Sequence, residues 1–473
     1  MPINSEHPTY TAMKEKWSKC SDCNDGEDAV KQRGVVYLPL LTSMKSSSDP
    51  KYLAYKQRAM FYGATTRTVE GLTGMVSRKL PIIKVPPKME PLLSDVTGTG
   101  INIYSFINNA IAEVTLKGRY SIHVDRSDTG VGLPYLVGCS AERVVNWDYN
   151  ADGHLSLLVV EETESLRDKD DVYKIVVRLN YREFYLEDGI YKVRLWKPTD
   201  KKDEWKSEEI APSKRGTPLK KIPQTFINPL GASEAIVNPP LLGMVNVNLS
   251  HYRTYADLEH GRHFTGLPTP YVTGVDMDDF AGVKAPETEG APPKPEFIIG
   301  SENILSLPRD ATAGYMEFTG AGLTYLENAA KEKSDMMALL GARLLQNQKM
   351  AAEAAETAKI NKSGDSSVMV SIATAVEDAM TKALQDIADW ENISGEISVE
   401  INKDMLDSTI DPQLITALLG ALQNGSISQE TFLFNLKKGE VIEDGITVEE
   451  EIDRIVVQKP SLGGDGIDLG DEE

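Results

Sequence analysis

The sequence predicts an α+β chain of several domains, on three observations. Short alternating runs of β-branched and aromatic residues are concentrated in residues 133–228, with Asp188-Gly189 as a turn between two of them. Long segments on both sides of that block carry apolar residues at three- and four-residue steps. At 473 residues the chain exceeds what one core supports and fits roughly two to four domains.

The first hundred residues read as helices and loops. Residues 52–75 carry apolar and aromatic side chains at helical spacing, and a proline-rich link over 81–91 follows. Residues 103–116 set Phe106, Ile107, Ala110, Ile111 and Val114 on one helical face, with Gly118 placed as a C-cap and a strand over 120–124. Within the alternating block, strands are expected at 155–160, 172–179, 183–186 and 191–196, and residues 197–206 as an exposed loop. Asp-Gly between such runs is a preferred hairpin turn, so this sheet is antiparallel.

Helix resumes at Asn238, with Asn238 as N-cap and Pro239 in the first turn. Its stripe is Leu242, Val245, Leu249, Tyr252 and Ala256. A stretch rich in Pro, Gly and Thr follows, with strand candidates at 269–272 and 296–299. A second long helix from about Gly322 carries Leu323, Leu326, Ala330, Met337, Leu340 and Leu344, with Lys333 in the one polar slot of a seam suited to helix packing. The polar run Gln346, Asn347, Gln348 and Lys349 comes next, then a short alanine-rich helix. A helix over 365–390 is striped by Val368, Ile372, Val376, Ala379, Ala383, Ile387 and Trp390, with a strand after it at 397–401. From Asp411 three short helices are expected, the last opened by a Thr447/Glu450 capping box. The glycine- and acid-rich end from 457 reads as disordered.

Charge narrows the function classes. With 71 acidic against 50 basic residues, the net charge is −21. That opposes tight binding to a phosphate backbone, which clustered Lys and Arg would supply. The three cysteines, Cys20, Cys23 and Cys139, make no disulfide framework and suit a reducing compartment. The N-terminus lacks the apolar core of a secretory signal, and no stretch has the length and apolarity of a membrane span.

A search for chemistry returns no catalytic, cofactor or metal site. Cys20 and Cys23 form a lone CxxC without a second ligand pair. His251, His260 and His263 cluster in sequence, but Glu259 precedes His260, the wrong order for a zinc hydrolase motif. The glycine pairs at 98/100 and 320/322 have no Lys-Ser or Lys-Thr after them, as a phosphate loop requires. The basic run over 213–221 is a solvated loop or a nucleic-acid contact.

Several segments, in their succession, resemble one family. They are Trp17-Ser18-Lys19-Cys20 through Gly26-Glu27-Asp28-Ala29-Val30, then Tyr37-Leu38-Pro39; Tyr55-Lys56-Gln57-Arg58-Ala59 through Gly71-Leu72-Thr73-Gly74, then Arg78-Lys79-Leu80-Pro81; residues 117–125; residues 238–258; and Glu356-Thr357-Ala358 leading to the helix over 366–390. Across about residues 10–455 the chain resembles the portal proteins of tailed bacteriophages, and no single motif carries the likeness. The resemblance implies a homo-oligomeric ring, a dodecamer, at one vertex of a capsid, with a channel through which double-stranded DNA is packaged and ejected. It implies residues 1–237 as a wing, 238–263 as a first stem helix, 264–317 as a clip and 318–345 as a second stem helix. A tunnel loop and short helix would span 346–364, with Gln346, Asn347, Gln348 and Lys349 toward DNA. Residues 365–410 would return to the wing, 411–456 form a helical crown and 457–473 a disordered tail. Stem packing would fall to Leu242, Val245, Leu249, Leu323, Leu326, Met337, Leu340 and Leu344. The implied partners are the terminase large subunit, a head–tail adaptor, and the major capsid and scaffold proteins, with no membrane and no cofactor. The implied location is the portal vertex of the virion, assembled in the host bacterial cytoplasm. Competing readings are a tail or baseplate subunit, a cytosolic binding module, and a hydrolase holding a metal on His251, His260 and His263.

Overall fold

The computed structural model describes residues 3–126, 132–168, 170–199, 204–210, 212–214, 217–266, 269–274, 310–316, 321–345, 367–404, 412–438 and 446–458. The chain is an α+β protein that divides into two compact units, Met1–Lys403 and Asp404–Glu473.

The first unit opens with helices α1 (Pro8–Asp25), α2 (Glu27–Gln32), α3 (Pro50–Arg58) and α4 (Ala64–Val76). The segment read as helical over 52–75 is therefore two helices. Ala59 is extended between them, and the Phe61 backbone N–H donates to Glu27 Oε2 at 3.0 Å instead of to a helical carbonyl. Strand β1 (Ile82–Lys84) and helix α5 (Glu90–Ser94) lead to α6 (Ile103–Lys117). The expected face of α6 is buried, and Gly118 ends the helix in the left-handed region at φ 70°.

Strands β2 (Tyr120–Asp125), β3 (Tyr135–Ser140), β4 (Val144–Tyr149), β5 (Leu155–Arg167), β6 (Ile175–Glu187), β7 (Ile190–Pro198) and β8 (Trp205–Ile210) follow, with short β9 (Ser213–Lys214), β10 (Thr217–Pro218) and β11 (Gln224–Ile227). They form a five-stranded antiparallel sheet, β4-β5-β6-β7-β8, and a three-stranded sheet, β11-β2-β3. Asp188 and Gly189 both take positive φ, 52° and 72°, the geometry of a tight two-residue hairpin. Two expected runs, 172–179 and 183–186, lie largely in the single strand β6, because residues 175–185 pair without a break with β5. The expected loop over 197–206 is strand at both ends, where Lys197 pairs with Lys206 and Pro198 with Trp205; residues 200–203 lie outside the described residues. Tyr10, Met13 and Trp17 of α1 join one core with Val144, Trp147, Leu158, Phe184 and Tyr191 of the sheet.

Helix α7 (Leu242–Thr265), the ribbon strands β12 (Thr269–Thr273) and β13 (Thr312–Met316), and α8 (Ala321–Ala342) form the next section. Asn238 is not the N-cap of α7. The consecutive prolines 239 and 240 hold the chain out of helix, Leu242 N–H donates to Pro239 O at 3.0 Å, and Asn238 Oδ1 accepts from Lys16 Nζ at 2.8 Å. The candidate strand at 296–299 and the alanine-rich helix after 349 fall outside the described residues, while β13 had no signal in the sequence strong enough to expect it.

Helix α9 (Val368–Glu391) then returns to the core, capped by the Ser367 side chain and ended by Asn392 at φ 55°. It packs on α4, α6, β2 and β11, and β14 (Ser398–Glu400) pairs with β1. The last turn of α6 meets the chain both where it leaves for α7 and where it comes back. A Cβ on Gly118 would lie 3.2 Å from Asn238 O and from Pro240 Cδ, and Thr115 Oγ1 donates to Met369 Sδ at 3.7 Å.

The second unit holds α10 (Pro412–Gln423), α11 (Gln429–Lys438) and α12 (Val448–Gln458). Its capping box is formed as expected: Thr447 N–H donates to Glu450 Oε2 at 2.8 Å, and Glu450 N–H to Thr447 Oγ1 at 3.1 Å.

The junction of the two larger sheets is polar at its centre. Buried His123 on β2 lies 3.0 Å from Gln224 Oε1 through Nδ1 and 3.2 Å from the Tyr191 hydroxyl through Nε2, with Phe184 against its ring. Those contacts suit a neutral imidazole with its proton on Nδ1. Burial pushes its pKa down to about 4; Asp125 opposes the shift and Arg182 adds to it. An unfolded histidine titrates near ~6.5, so unfolding takes up a proton between these values and stability falls as pH drops through that window. Between pH 7 and pH 4.5 this group withdraws on the order of 2–3 kcal/mol of stability. Urea unfolding of His123→Gln against the parent at the two pH values tests it: the parent loses more stability on acidification, and equal losses would refute the assignment.

Candidate functional site

The candidate site is the pair of long helices α7 and α8, which pack on each other. Helices α7 and α8 span 24 and 22 residues, about 36 and 33 Å at helical rise. They run antiparallel. Gly261 faces Leu323 so closely that an added Cβ would come 2.6 Å from Leu323 Cδ2, and Arg262 bonds Glu327 at 2.7 Å. Midway, Lys333 Nζ donates to Ser250 O and to Thr254 Oγ1. At the other end a Cβ on Gly341 would meet Thr68 Cγ2 at 2.9 Å and Met244 Sδ at 3.8 Å.

The structure places the expected stem residues in this pair. Val245 and Leu249 on α7, Met337 on α8 and Leu344 just beyond it are buried within the chain. Leu242, Leu323, Leu326 and Leu340 are half-buried. Lys333 sits in the polar slot that the periodicity marked. Burial pulls its pKa below the usual lysine value, neighbouring Arg253 lowers it further, and Asp257 opposes both. Gln346, Asn347, Gln348 and Lys349 lie outside the described residues.

A second face of α8 is left bare. Tyr325, Met336 and Leu339 are 78%, 52% and 51% exposed. Their offsets of 11 and 14 residues are close to three and four helical turns, so they share one stripe, distinct from the seam facing α7. Periodicity does not single them out, because the seam facing α7 is the stronger signal in the sequence.

The three histidines of α7 are dispersed among aromatic neighbours. His251 is buried beside Tyr62 and Tyr255, His260 lies against Tyr55 with Nδ1 3.3 Å from Arg58 Nη2, and His263 packs near Phe264. Cys20 and Cys23 are buried on α1, and burial raises the Cys20 thiol to about 12. Among the described residues no group of three or more His, Cys, Asp or Glu is placed to hold a metal ion. No helix among them is long and apolar enough to cross a membrane. In the basic run, Lys221 Nζ donates to Asp386 Oδ1.

The anchor of the helix pair is Asn248, which periodicity could not single out because it interrupts the apolar stripe. Fully buried on α7, its Oδ1 accepts from Thr65 Oγ1 at 2.9 Å and from Thr65 N–H at 3.4 Å, and its Nδ2 donates to Tyr62 O at 2.9 Å. Thr65 is in the first turn of α4, where the preceding Gly63 offers no side-chain cap, so α7 supplies the cap across space. Asn248→Leu leaves those buried partners unsatisfied and costs about 2–4 kcal/mol, measured by chemical unfolding. A loss within ~0.5 kcal/mol would show that the contact holds nothing.

Residues 240–391 match a family model described as a domain of unknown function, DUF4055. That span runs from the start of α7 through the ribbon and α8 to the end of α9. No curated protein matches the chain. Among solved structures, a chain from the neck of an empty GTA particle computed with C6 symmetry is 13% identical at a TM-score of 0.36, covering 82% of this chain and 94% of that one. A chain from the virion of a native gene transfer agent (GTA) particle is 12% identical at 0.38, covering 86% and 98%. A third, from the neck of a native GTA particle computed with C12 symmetry, is 12% identical at 0.34, covering 82% and 93%.

Proposed function

We propose that this chain is a structural virion protein of portal type: a subunit that builds a ring around a channel for double-stranded DNA. The ring is a dodecamer at one capsid vertex, through which DNA is packaged and later ejected. The chain contributes assembly surfaces and no chemistry. The observation that carries the reading is the apolar stripe Tyr325, Met336 and Leu339, exposed on a long helix whose other apolar face is already used within the subunit. Exposed stripes of this kind mark contact surfaces, and a helix that is apolar on two faces suits a ring in which each α8 meets a neighbour. The sequence resemblance supplies the rest of the map: stem helices α7 and α8, a clip at β12–β13 that docks the terminase large subunit and the head–tail adaptor, and a crown of α10–α12. Major capsid and scaffold proteins are the remaining partners.

A channel must let DNA slide, and a net charge of −21 suits a wall that repels phosphates more than it holds them. In this reading Gln346, Asn347, Gln348 and Lys349 face the lumen, polar enough to pass DNA with one cation per subunit. Deleting the four residues lowers packaging or DNA retention in assembled particles; unchanged packaging and retention would remove them from the lumen.

Negative-stain microscopy with native mass spectrometry tests the ring. The purified chain forms rings of about a dozen copies, the number the resemblance implies. Placing Tyr325→Glu and Leu339→Glu together removes on the order of 3 kcal/mol of apolar burial from each interface, about a hundredfold in association. That variant keeps its circular dichroism and runs as monomer. A parent that stays monomeric with capsid and scaffold partners present would overturn the ring, and a double variant that still forms rings would overturn the stripe.

A further inference from the structure

A concavity on the sheet side of the first unit carries chemistry that ring assembly does not use. It measures about 670 Å3 and is walled by the β4–β5 and β6–β7 turns, the segment entering β11, residues 232–234 and α9. Its volume is that of a small-molecule site.

Three features set it apart. The first is charge: Lys220 and Lys221 from the segment before β11 and Lys382 from α9 converge on it, against Glu234 and Asp386. Lys221 is engaged with Asp386, which leaves two ammonium groups facing one carboxylate in a chain that is otherwise strongly acidic. The second is Gln224 in the wall, 8% exposed. Its Oε1 is taken by His123, and its Nε2 has no hydrogen-bond partner. A buried amide donor without an acceptor costs stability, and a bound acceptor is the ordinary remedy.

The third lies behind the wall. Phe226 lines the cavity, and the Arg119 guanidinium sits over its ring at 4.7 Å and over the Trp147 ring at 4.1 Å. Arg119 is 2% exposed, and its Nη1 and Nη2 have no hydrogen-bond partner. The two rings compensate part of its charge, but no carboxylate bonds those nitrogens. A buried cation therefore adds its field to the lysines from the protein side.

We propose that this cavity binds a small oxyanionic ligand, its phosphate or carboxylate oxygens held by Lys220 and Lys382 at the mouth, with the unpartnered Gln224 amide just beneath the wall and the field of buried Arg119 behind it. Lysines on separate elements act as point charges and suit either oxyanion, so the source is a matter for experiment. The inference stands apart from the ring reading, since no residue of α7 or α8 takes part.

Isothermal titration calorimetry on the full-length chain decides it, with sodium pyrophosphate in one arm, citrate in the other, and potassium chloride of matched ionic strength as the blank. One anion binds saturably, and the Lys220→Ala, Lys382→Ala double variant weakens it about tenfold or more. Both lysines are exposed, so the fold survives their loss. Tighter pyrophosphate names a phosphate-bearing ligand; tighter citrate names a carboxylate. Heats no larger than the blank up to about 10 mM of either anion, or equal affinity in the double variant, would overturn the site.

Discussion

The segment that carries α7 and α8 begins and ends beside one place in the core, the last turn of α6. The chain leaves the core beside Gly118, where the backbone of residues 238–240 approaches so closely that no Cβ fits without displacing them. It comes back at Met369, against Thr115 on the same turn. Gly118 answers two demands at once: the left-handed cap that ends α6 and the space that lets the Asn238-Pro239-Pro240 link pass. Trp17 reinforces the place from the other side, donating through Nε1 to Lys117 O at 3.1 Å. From there α9 lays thirteen buried residues into the core, enough that it is apolar around much of its circumference, with Asp378, Lys382, Gln385 and Asp389 on its narrow solvent face.

Around this turn the interior is more polar than a core of its size needs to be. Lys117 is 6% exposed and bonds Glu113 and Glu142, each at 2.9 Å. Burial alone would lower its pKa, but the two carboxylates more than offset that and leave it raised. Arg119, two residues on, is desolvated beside the rings of Trp147 and Phe226 and drops to about 10. A paired cation and an unpaired one thus sit side by side on the chain. The first is satisfied by its surroundings; the second is held by π-faces alone, a weaker compensation than a carboxylate gives.

Local signals in the sequence carried far. The Asp188-Gly189 turn, the Gly118 cap, the Thr447/Glu450 box and the stripes of α6 and α9 all depend on residues within a few positions of one another, and each formed where spacing placed it. Expectations failed where a distant residue intervened. Asn238 looked like a cap because its neighbours suited one, but Lys16 takes its oxygen and the prolines delay the helix. Asn248 looked like a polar interruption and is the cap of another helix, a role set by a partner 183 residues away. The seam on α7 and α8 was legible as a seam, yet periodicity has no term for which partner fills it. The Gln224 and Arg119 donors were invisible for the same reason: an unmet hydrogen bond is a property of the folded interior.

The detour between Asn238 and Met369 has a geometric consequence. Its two ends are fixed within one turn of α6, and its outward and inward limbs run antiparallel beside each other. Lengthening both limbs by whole turns, about 5.4 Å each, would move the β12–β13 ribbon outward without disturbing either anchor. Reach is therefore a quantity this architecture can adjust by itself, as a telescoping strut does, while the body that holds it keeps the same shape.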